Sequence, residues 1–255
     1  MTPIRSRELT ERDRRRYARH LVLPQLGEEG QRRLKAARVL IVGVGGLGSS
    51  IALYLAGAGA GRIGVVDNDV VSFSNLQRQV VHGEGTLDRP KVESARARLL
   101  DLNCDIDVET FDKTFDPESG LHIASSYDLI VDGTDNFATR YAINDVCLKL
   151  GIPYVYGAIF RLEGQVSLLC TEGGPCYRCL FPTPPPPETV LTGEQAGILG
   201  AVPGTIGTLQ ATEAIKWIVG AGAPLVGRLL IYDAAAMRFE EISIDKNPDC
   251  PSCGE

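Results

Sequence analysis

Two cysteine pairs, Cys176–Cys179 and Cys250–Cys253, each set two thiols three positions apart. That is the spacing of a metal knuckle, and four thiolates make a closed tetrahedral zinc site without an open coordination position. A lone CxxC pair reads equally as a redox centre, but two matched pairs in one chain favour structural zinc. Cys179 and Cys250 are 71 positions apart, so the fold itself must bring the pairs together. Cys104, Cys147 and Cys170 stand alone and read as small buried residues. His20, His82 and His122 form no Cys/His or Ser/His/Asp constellation.

A second group of residues suits phosphate chemistry. Gly43, Gly45 and Gly48 give GxGxxG after an apolar run and before a helical pattern. In that context bare backbone lets phosphate oxygens approach N–H groups at the positive end of a helix. Asp67 closes the next apolar run, where a carboxylate accepts hydrogen bonds from a ribose. These residues alone do not separate a dinucleotide from a mononucleotide. Arg78 and Lys91 follow in a chain of net charge −6. Two added cations beside the turn suit a triphosphate, which carries more charge than a helix end can balance; the alternative is a pair of solvated surface cations. Asp132-Gly-Thr-Asp135-Asn136 closes another apolar run. A carboxylate there can hold Mg²⁺ on phosphates, or Asp135 can cap the helix that follows.

These residues need a frame, and the alternation of patterns supplies one. Apolar β-rich runs at 38–42, 62–67, 106–111, 128–132, 153–158 and 165–170 read as strands, with helices between them at 49–58, 90–102 and 138–150. Such βα alternation predicts an α/β, Rossmann-like, doubly wound and mostly parallel sheet. Residues 182–200, with four consecutive prolines at 184–187, read as a long surface connection. A helix over 205–219 and strands over 228–233 and 239–244 add a C-terminal β extension that leads to the last cysteines. The chain divides into an N-terminal helical segment (1–37), a nucleotide-binding core (38–170) and a connection-plus-zinc region (171–255), expected to form a single domain.

Apolar residues are 44% and charged residues 23% of the 255, a globular mix that excludes disorder or coiled coil for the whole. The negative charge argues against a nucleic-acid surface. No apolar run reaches the ~18 residues of a membrane helix, and no secretory signal opens the chain, so the expected location is cytoplasmic.

The motifs taken together, GxGGLG, Asp67, SNLQRQ, PK at 90–91, DGTDN, GQV at 164–166, PCYRCLF and NPDCPSC, resemble the ThiF/MoeB/HesA group of ubiquitin-activating-enzyme-like adenylyltransferases. The resemblance runs from Arg16 to the last residues. It implies ATP-dependent adenylation of the C-terminal glycine carboxylate of a ubiquitin-like sulfur-carrier protein ending in Gly-Gly, with pyrophosphate released. By that resemblance Gly46 and its neighbours contact ATP with Asp67 on the ribose. Ser74, Asn75, Leu76, Gln77 and Arg78 line the phosphates, and Lys91 holds their charge through the transition state. Asp135 and Asn136 place Mg²⁺, and the four paired cysteines bind Zn²⁺. Arg19 matches an arginine that enters the partner subunit's site, which implies a homodimer. Many relatives carry a cysteine where this chain has Gly193, so the expected chemistry stops at the acyl-adenylate and sulfur comes from a separate donor protein. The competing classes are an NAD(P)-dependent oxidoreductase and a non-catalytic ATP-binding scaffold.

Overall fold

The computed structural model describes residues 6–186 and 193–254. Three helices come first: α1 (Glu11–Arg16), α2 (Ala18–Leu21) and α3 (Gly27–Ala36). The αβ core follows as β1 (Arg38–Val42), α4 (Gly46–Ala58), β2 (Arg62–Val66), α5 (Lys91–Leu102), β3 (Asp107–Phe111), α6 (Pro117–Ala124), β4 (Leu129–Asp132), α7 (Phe137–Leu150) and β5 (Tyr154–Phe160). Then come β6 (Glu163–Leu169), α8 (Tyr177–Leu180), α9 (Gly193–Ala196), α10 (Ala201–Val219), β7 (Arg228–Asp233) and β8 (Arg238–Ser243).

One sheet holds all eight strands in the order β3-β2-β1-β4-β5-β6-β7-β8. The pairs among β3, β2, β1, β4 and β5 are parallel, and those from β5 through β8 are antiparallel. The sheet is thus mostly parallel with an antiparallel C-terminal extension. The strand of β1 shows how it is covered. Val39 and Ile41 join a core with Leu34, Ile51, Leu55, Leu99 and Ile218, while Leu40 and Val42 join Ile123, Ile143 and Val146 on the opposite face. Successive side chains alternate between faces, so a run buried on both sides must be apolar throughout.

Several boundaries differ from the sequence reading. Helix α10 begins at Ala201, because Pro203 sits in its first turn where a missing N–H costs nothing. The first basic stretch is two short helices broken at Tyr17, which is buried. Helix α6 lay unread although Asp116 caps it, accepting from the N–H groups of Glu118 and Ser119 at 2.9 Å, with Pro117 behind. No helix among the described residues is long and apolar enough to cross a membrane.

Candidate nucleotide cleft and cysteine cluster

Registers Val42↔Val66 and Val42↔Asp132 align the carboxyl ends of β1, β2 and β4. The chain steps outward from β1 to β2 and β3 on one side, and to β4 and β5 on the other. This reversal opens a crevice beyond the strand ends, the expected ligand position in an open α/β sheet. A cleft of about 820 Å³ occupies it.

The glycine turn forms the floor. Gly43 has φ +85°, and a Cβ there would stand 2.8 Å from the carbonyl of Gly133. A Cβ on Gly48 would stand 2.0 Å from Gly43 O, so this glycine seats α4 against the turn. Gly45, the N-cap of α4, is different: its Cβ would meet only the Gln79 amide, at 3.5 Å. Packing does not require that position to be bare, and its bareness leaves the positive end of α4 open to the cleft, which Gly46 and Leu47 also line.

Asp67 Oδ2 accepts from Val44 N–H at 2.8 Å and Oδ1 from Asp69 N–H at 2.9 Å. Burial pushes its carboxyl above the usual range, against the pull of the Lys91 charge. Lys91 opens α5 with its side chain 6% exposed and its Nζ 2.8 Å from Asp69 Oδ2. Arg78 lines the same cleft and donates from Nη1 to Ser74 O at 3.2 Å. Ser74, Asn75, Leu76 and Gln77 do not line it: Ser74 and Gln77 face outward, and the Gln77 carbonyl packs at Gly200. His82 sits behind the floor as a strut, Nδ1 2.9 Å from Ser94 Oγ and Nε2 3.0 Å from Val44 O. Burial pushes its pKa down to about 4, so the ring is neutral at pH 7.

On the opposite wall Asn136, not Asp135, caps α7: its Oδ1 accepts from Thr139 N–H at 2.9 Å. Asp135 lines the cleft, exposed, with no hydrogen bond or ion pair to a described residue. Asp132, fully buried, accepts from Thr134 and Tyr154 and faces the buried Arg140, whose guanidinium lies 5.6 Å from the Phe137 ring centre and 5.9 Å from that of Tyr156.

The sequence reading did not identify Gln79, Lys113, Phe115, Arg140 or Tyr156, all of which line the cleft. Gln79 is buried and its Oε1 has no hydrogen-bond partner among the described residues. A signal existed for Arg140: a charge within the apolar pattern of α7 is buried only if paired. None exists for the wall residues of β5, whose side chains carry no motif.

The four paired cysteines converge. Their Sγ atoms all lie within 4.8 Å of one another, with Cys176–Cys250 at 3.5 Å, Cys179–Cys253 at 3.4 Å and Cys176–Cys179 at 3.9 Å. These separations are far beyond a disulfide bond of about 2.05 Å. The turn that carries the first pair is bolted to α7: Tyr177 N–H donates to Asn144 Oδ1 at 2.8 Å, and Arg178 pairs with Asp145 at 3.1 Å. Burial pushes the Cys147 and Cys170 thiols well up, and neither lines the cleft; nor does the exposed Cys104. Arg19 also lies outside the cleft. Arg12 and Arg16 pair with Asp105 and Arg14 with Glu28, whereas Arg19 is exposed and has no partner among the described residues.

The ThiF family matches residues 17–252. The SAMP-activating enzyme E1 of Haloferax volcanii is 50% identical over 94% of this chain and 88% of its own length. The sulfur carrier protein adenylyltransferase of Thermus thermophilus is 47% identical over 94% of this chain and 90% of its own. Of some longer relatives the chain spans about half. Among solved structures, that of Escherichia coli MccB with MccA-N7isoASN superposes with a TM-score of 0.82 at 24% identity, covering 95% of this chain and 75% of that one. That likeness speaks to the Rossmann-like fold.

Proposed function

The chain belongs to the ThiF family, and from that premise we propose that it adenylates the C-terminal glycine carboxylate of a ubiquitin-like sulfur-carrier protein with Mg·ATP. The observation that carries the reading is one cleft holding the start of α4, the cations Arg78 and Lys91, and a carboxylate, Asp135, that is unpaired among the described residues. The names of the two relatives, a SAMP-activating enzyme and a sulfur carrier protein adenylyltransferase, support the same activity and partner.

The chemistry asks little beyond positioning and charge. A terminal carboxylate has a pKa of about 3.3–3.7 and is ionised at pH 7, so no general base is required. Its oxygen bonds to the α-phosphorus as the bond from that phosphorus to the bridging oxygen breaks, and pyrophosphate leaves with the electron pair. Lys91, Arg78 and the N-terminus of α4 offset the charge on the phosphates. Asp67 serves the ribose. Asp135, a hard oxygen donor with no partner among the described residues, fits Mg²⁺, which would screen the phosphate charge when bound.

The cysteine cluster fits zinc. A tetrahedron of sulfurs about 2.3 Å from a zinc ion has edges of about 3.8 Å; three of the six separations are 3.4–3.9 Å and all lie within 4.8 Å. The ion is structural, because four thiolates leave no open position. Arg19, unpaired among the described residues and away from its own cleft, is read as reaching the site of a second copy in a homodimer. The sulfur donor is a separate protein, since no described thiol lines the cleft. Gly193 starts α9 and offers no nucleophile; residues 188–192 of the same connection lie outside the described residues.

Exchange of labelled pyrophosphate into ATP tests the reading. Exchange is expected only when a carrier ending in Gly-Gly is present. Exchange without carrier, or none with any Gly-Gly-ended carrier, overturns it.

A further inference from the structure

The turn between β4 and α7 is four residues long, 133–136, and Thr134 is tied at every polar group it owns. Its N–H donates to Asp132 Oδ1 at 2.8 Å, its Oγ1 donates to the same oxygen at 2.6 Å, and its carbonyl accepts from Arg140 Nη2 at 3.0 Å. The two anchors are themselves fixed. Asp132 has no exposed surface; it accepts from Tyr154 Oη at 2.6 Å, and its backbone carbonyl accepts from Gln210 Nε2 at 2.7 Å. Arg140 is 6% exposed, stands 3.6 Å from Asp132 Oδ2 through Nε, and its side chain makes no hydrogen bond to a described residue other than that to Thr134. The next residue, Asp135, lines the cleft, and its carboxylate has no hydrogen bond or ion pair to a described residue. A side chain free on both flanks normally samples several rotamers, and the cost of ordering it falls on ligand binding.

We propose that Thr134 is a positioning residue for the metal: the Asp132–Thr134–Arg140 clamp fixes the backbone from which Asp135 projects and so sets the affinity of the enzyme–nucleotide complex for its divalent cation. The proposal rests on the reading of Asp135 as the Mg²⁺ carboxylate. Thr134 borders the cleft beside Asp135, but its N–H, hydroxyl and carbonyl are all engaged within the protein. Its hydroxyl adds a charge-assisted bond to a carboxylate that already holds the same residue's N–H, so the turn is held at two points along one residue and a third across it. Free rotation about the Gly133–Thr134 segment would leave the metal carboxylate on a hinge; the clamp removes that hinge before any ligand arrives, as preorganisation requires.

The test uses the full chain with ATP and Mn²⁺ as the probe ion, read by the electron paramagnetic resonance signal of free Mn²⁺ and, separately, by nucleotide binding without metal. Thr134→Val keeps the shape and removes only the hydroxyl bond. It is expected to weaken Mn²⁺ binding to the enzyme–ATP complex about five- to tenfold, the scale of part of one hydrogen bond to a charged group, while metal-free ATP binding stays within about twofold. Thr134→Ser, which keeps the hydroxyl, is expected to restore wild-type Mn²⁺ affinity. Tyr154→Phe removes a different bond to Asp132; it is expected to lower Tm while leaving Mn²⁺ affinity intact, which separates positioning from general loosening. Unchanged Mn²⁺ affinity in Thr134→Val, equal losses in the valine and serine variants, or an equal loss in Tyr154→Phe overturns the clamp. Asp135→Ala is measured alongside: if it leaves Mn²⁺ affinity unchanged, the metal-carboxylate reading falls and the clamp with it. A loss there without one in Thr134→Val overturns the clamp alone.

Discussion

Lys91 and Asp69 meet at 2.8 Å with opposite exposures, the lysine side chain 6% and the aspartate 65% accessible. The cation's stem is therefore held by packing and its head by a surface anion that a phosphate can displace. Lys91→Ala should lower carrier-dependent pyrophosphate exchange by about 10² or more, the loss of one preorganised donor worth roughly 2.7–4 kcal/mol. Because the stem is buried, a stability loss of about 1–2 kcal/mol should accompany it. Asp69→Asn should instead tighten ATP binding about two- to fivefold by removing a competing charge. Weaker ATP binding in Asp69→Asn would show that the aspartate orients the lysine rather than competing for it.

Arg19 is expected to work across a dimer. Inactive Arg19→Ala and inactive Asp135→Ala chains, mixed and allowed to exchange, form hybrid dimers in which one site has both residues. Random pairing predicts recovery of about a quarter of wild-type exchange activity. Exchange of subunits, checked by mass-tagged chains, without recovered activity would place Arg19 in its own site.

The cysteine cluster should hold one equivalent of zinc per chain by elemental analysis. Structural zinc contributes roughly 10–16 kcal/mol apparent, as much as the whole stability of about 5–15 kcal/mol expected of a domain. Cys253→Ser or prolonged chelation should therefore lower Tm by more than about 10 °C and loosen the turn bolted to α7. A chelated protein that keeps its Tm would make the cluster a set of free thiols.

His82 sets a pH limit on stability. Its pKa is about 4 in the fold and 6.5 as its ordinary value. Between those values the unfolded chain binds the proton and the fold does not, so the contribution is full above pH 6.5 and is lost as pH falls toward 4. From pH 7.5 to 5 that loss is about 2 kcal/mol. His82→Gln, which can still reach Val44 O or Ser94 Oγ, should flatten the acid limb of stability measured by urea unfolding. An unaltered limb would mean that carboxylates set it.

With Gly193 in the connection, the reaction is expected to stop at the acyl-adenylate, with no enzyme–carrier thioester or persulfide linkage. Enzyme, carrier and Mg·ATP, run on denaturing gels with and without thiol, should give no thiol-sensitive covalent band. Such a band would overturn the expectation and point to Cys170 or Cys104 as the nucleophile.

The site was legible where one ligand forces several residue types into fixed places. The GxGxxG turn, the acid closing β2 and the cation opening α5 are spaced by strand and helix lengths, and the fold sets them around one cleft. The cysteine pairs were legible by their own spacing, since only proximity could make use of them. Strand direction was not: Tyr154–Phe160 and Glu163–Leu169 carry the alternation of any strand, and the two-residue turn at Arg161, with φ +55°, lacks the usual glycine. Outward-facing Ser74 and Gln77 were not separable from cleft-lining Arg78, because a short 3₁₀ turn at Phe73–Asn75 points neighbours in different directions. The Asp132–Thr134–Arg140 clamp depends on a buried carboxylate meeting a helix residue eight positions on, which no local pattern encodes.

Among the described residues, strand β8 pairs only with β7, and all six of its residues are exposed. A long free edge is a template on which another chain can add a strand, and here it carries Phe239 and Ile242 at about half exposure. Arg238, Glu240 and Glu241 interleave with them, paired to Glu240, Arg238 and Arg228 respectively. Those charges act as gatekeepers against aggregation, so concentrated protein should stay soluble through this edge only while they remain. Glu240→Val with Glu241→Val would turn the same strand into an adhesive rim, and the first sign would be turbidity at a concentration where the parent stays clear.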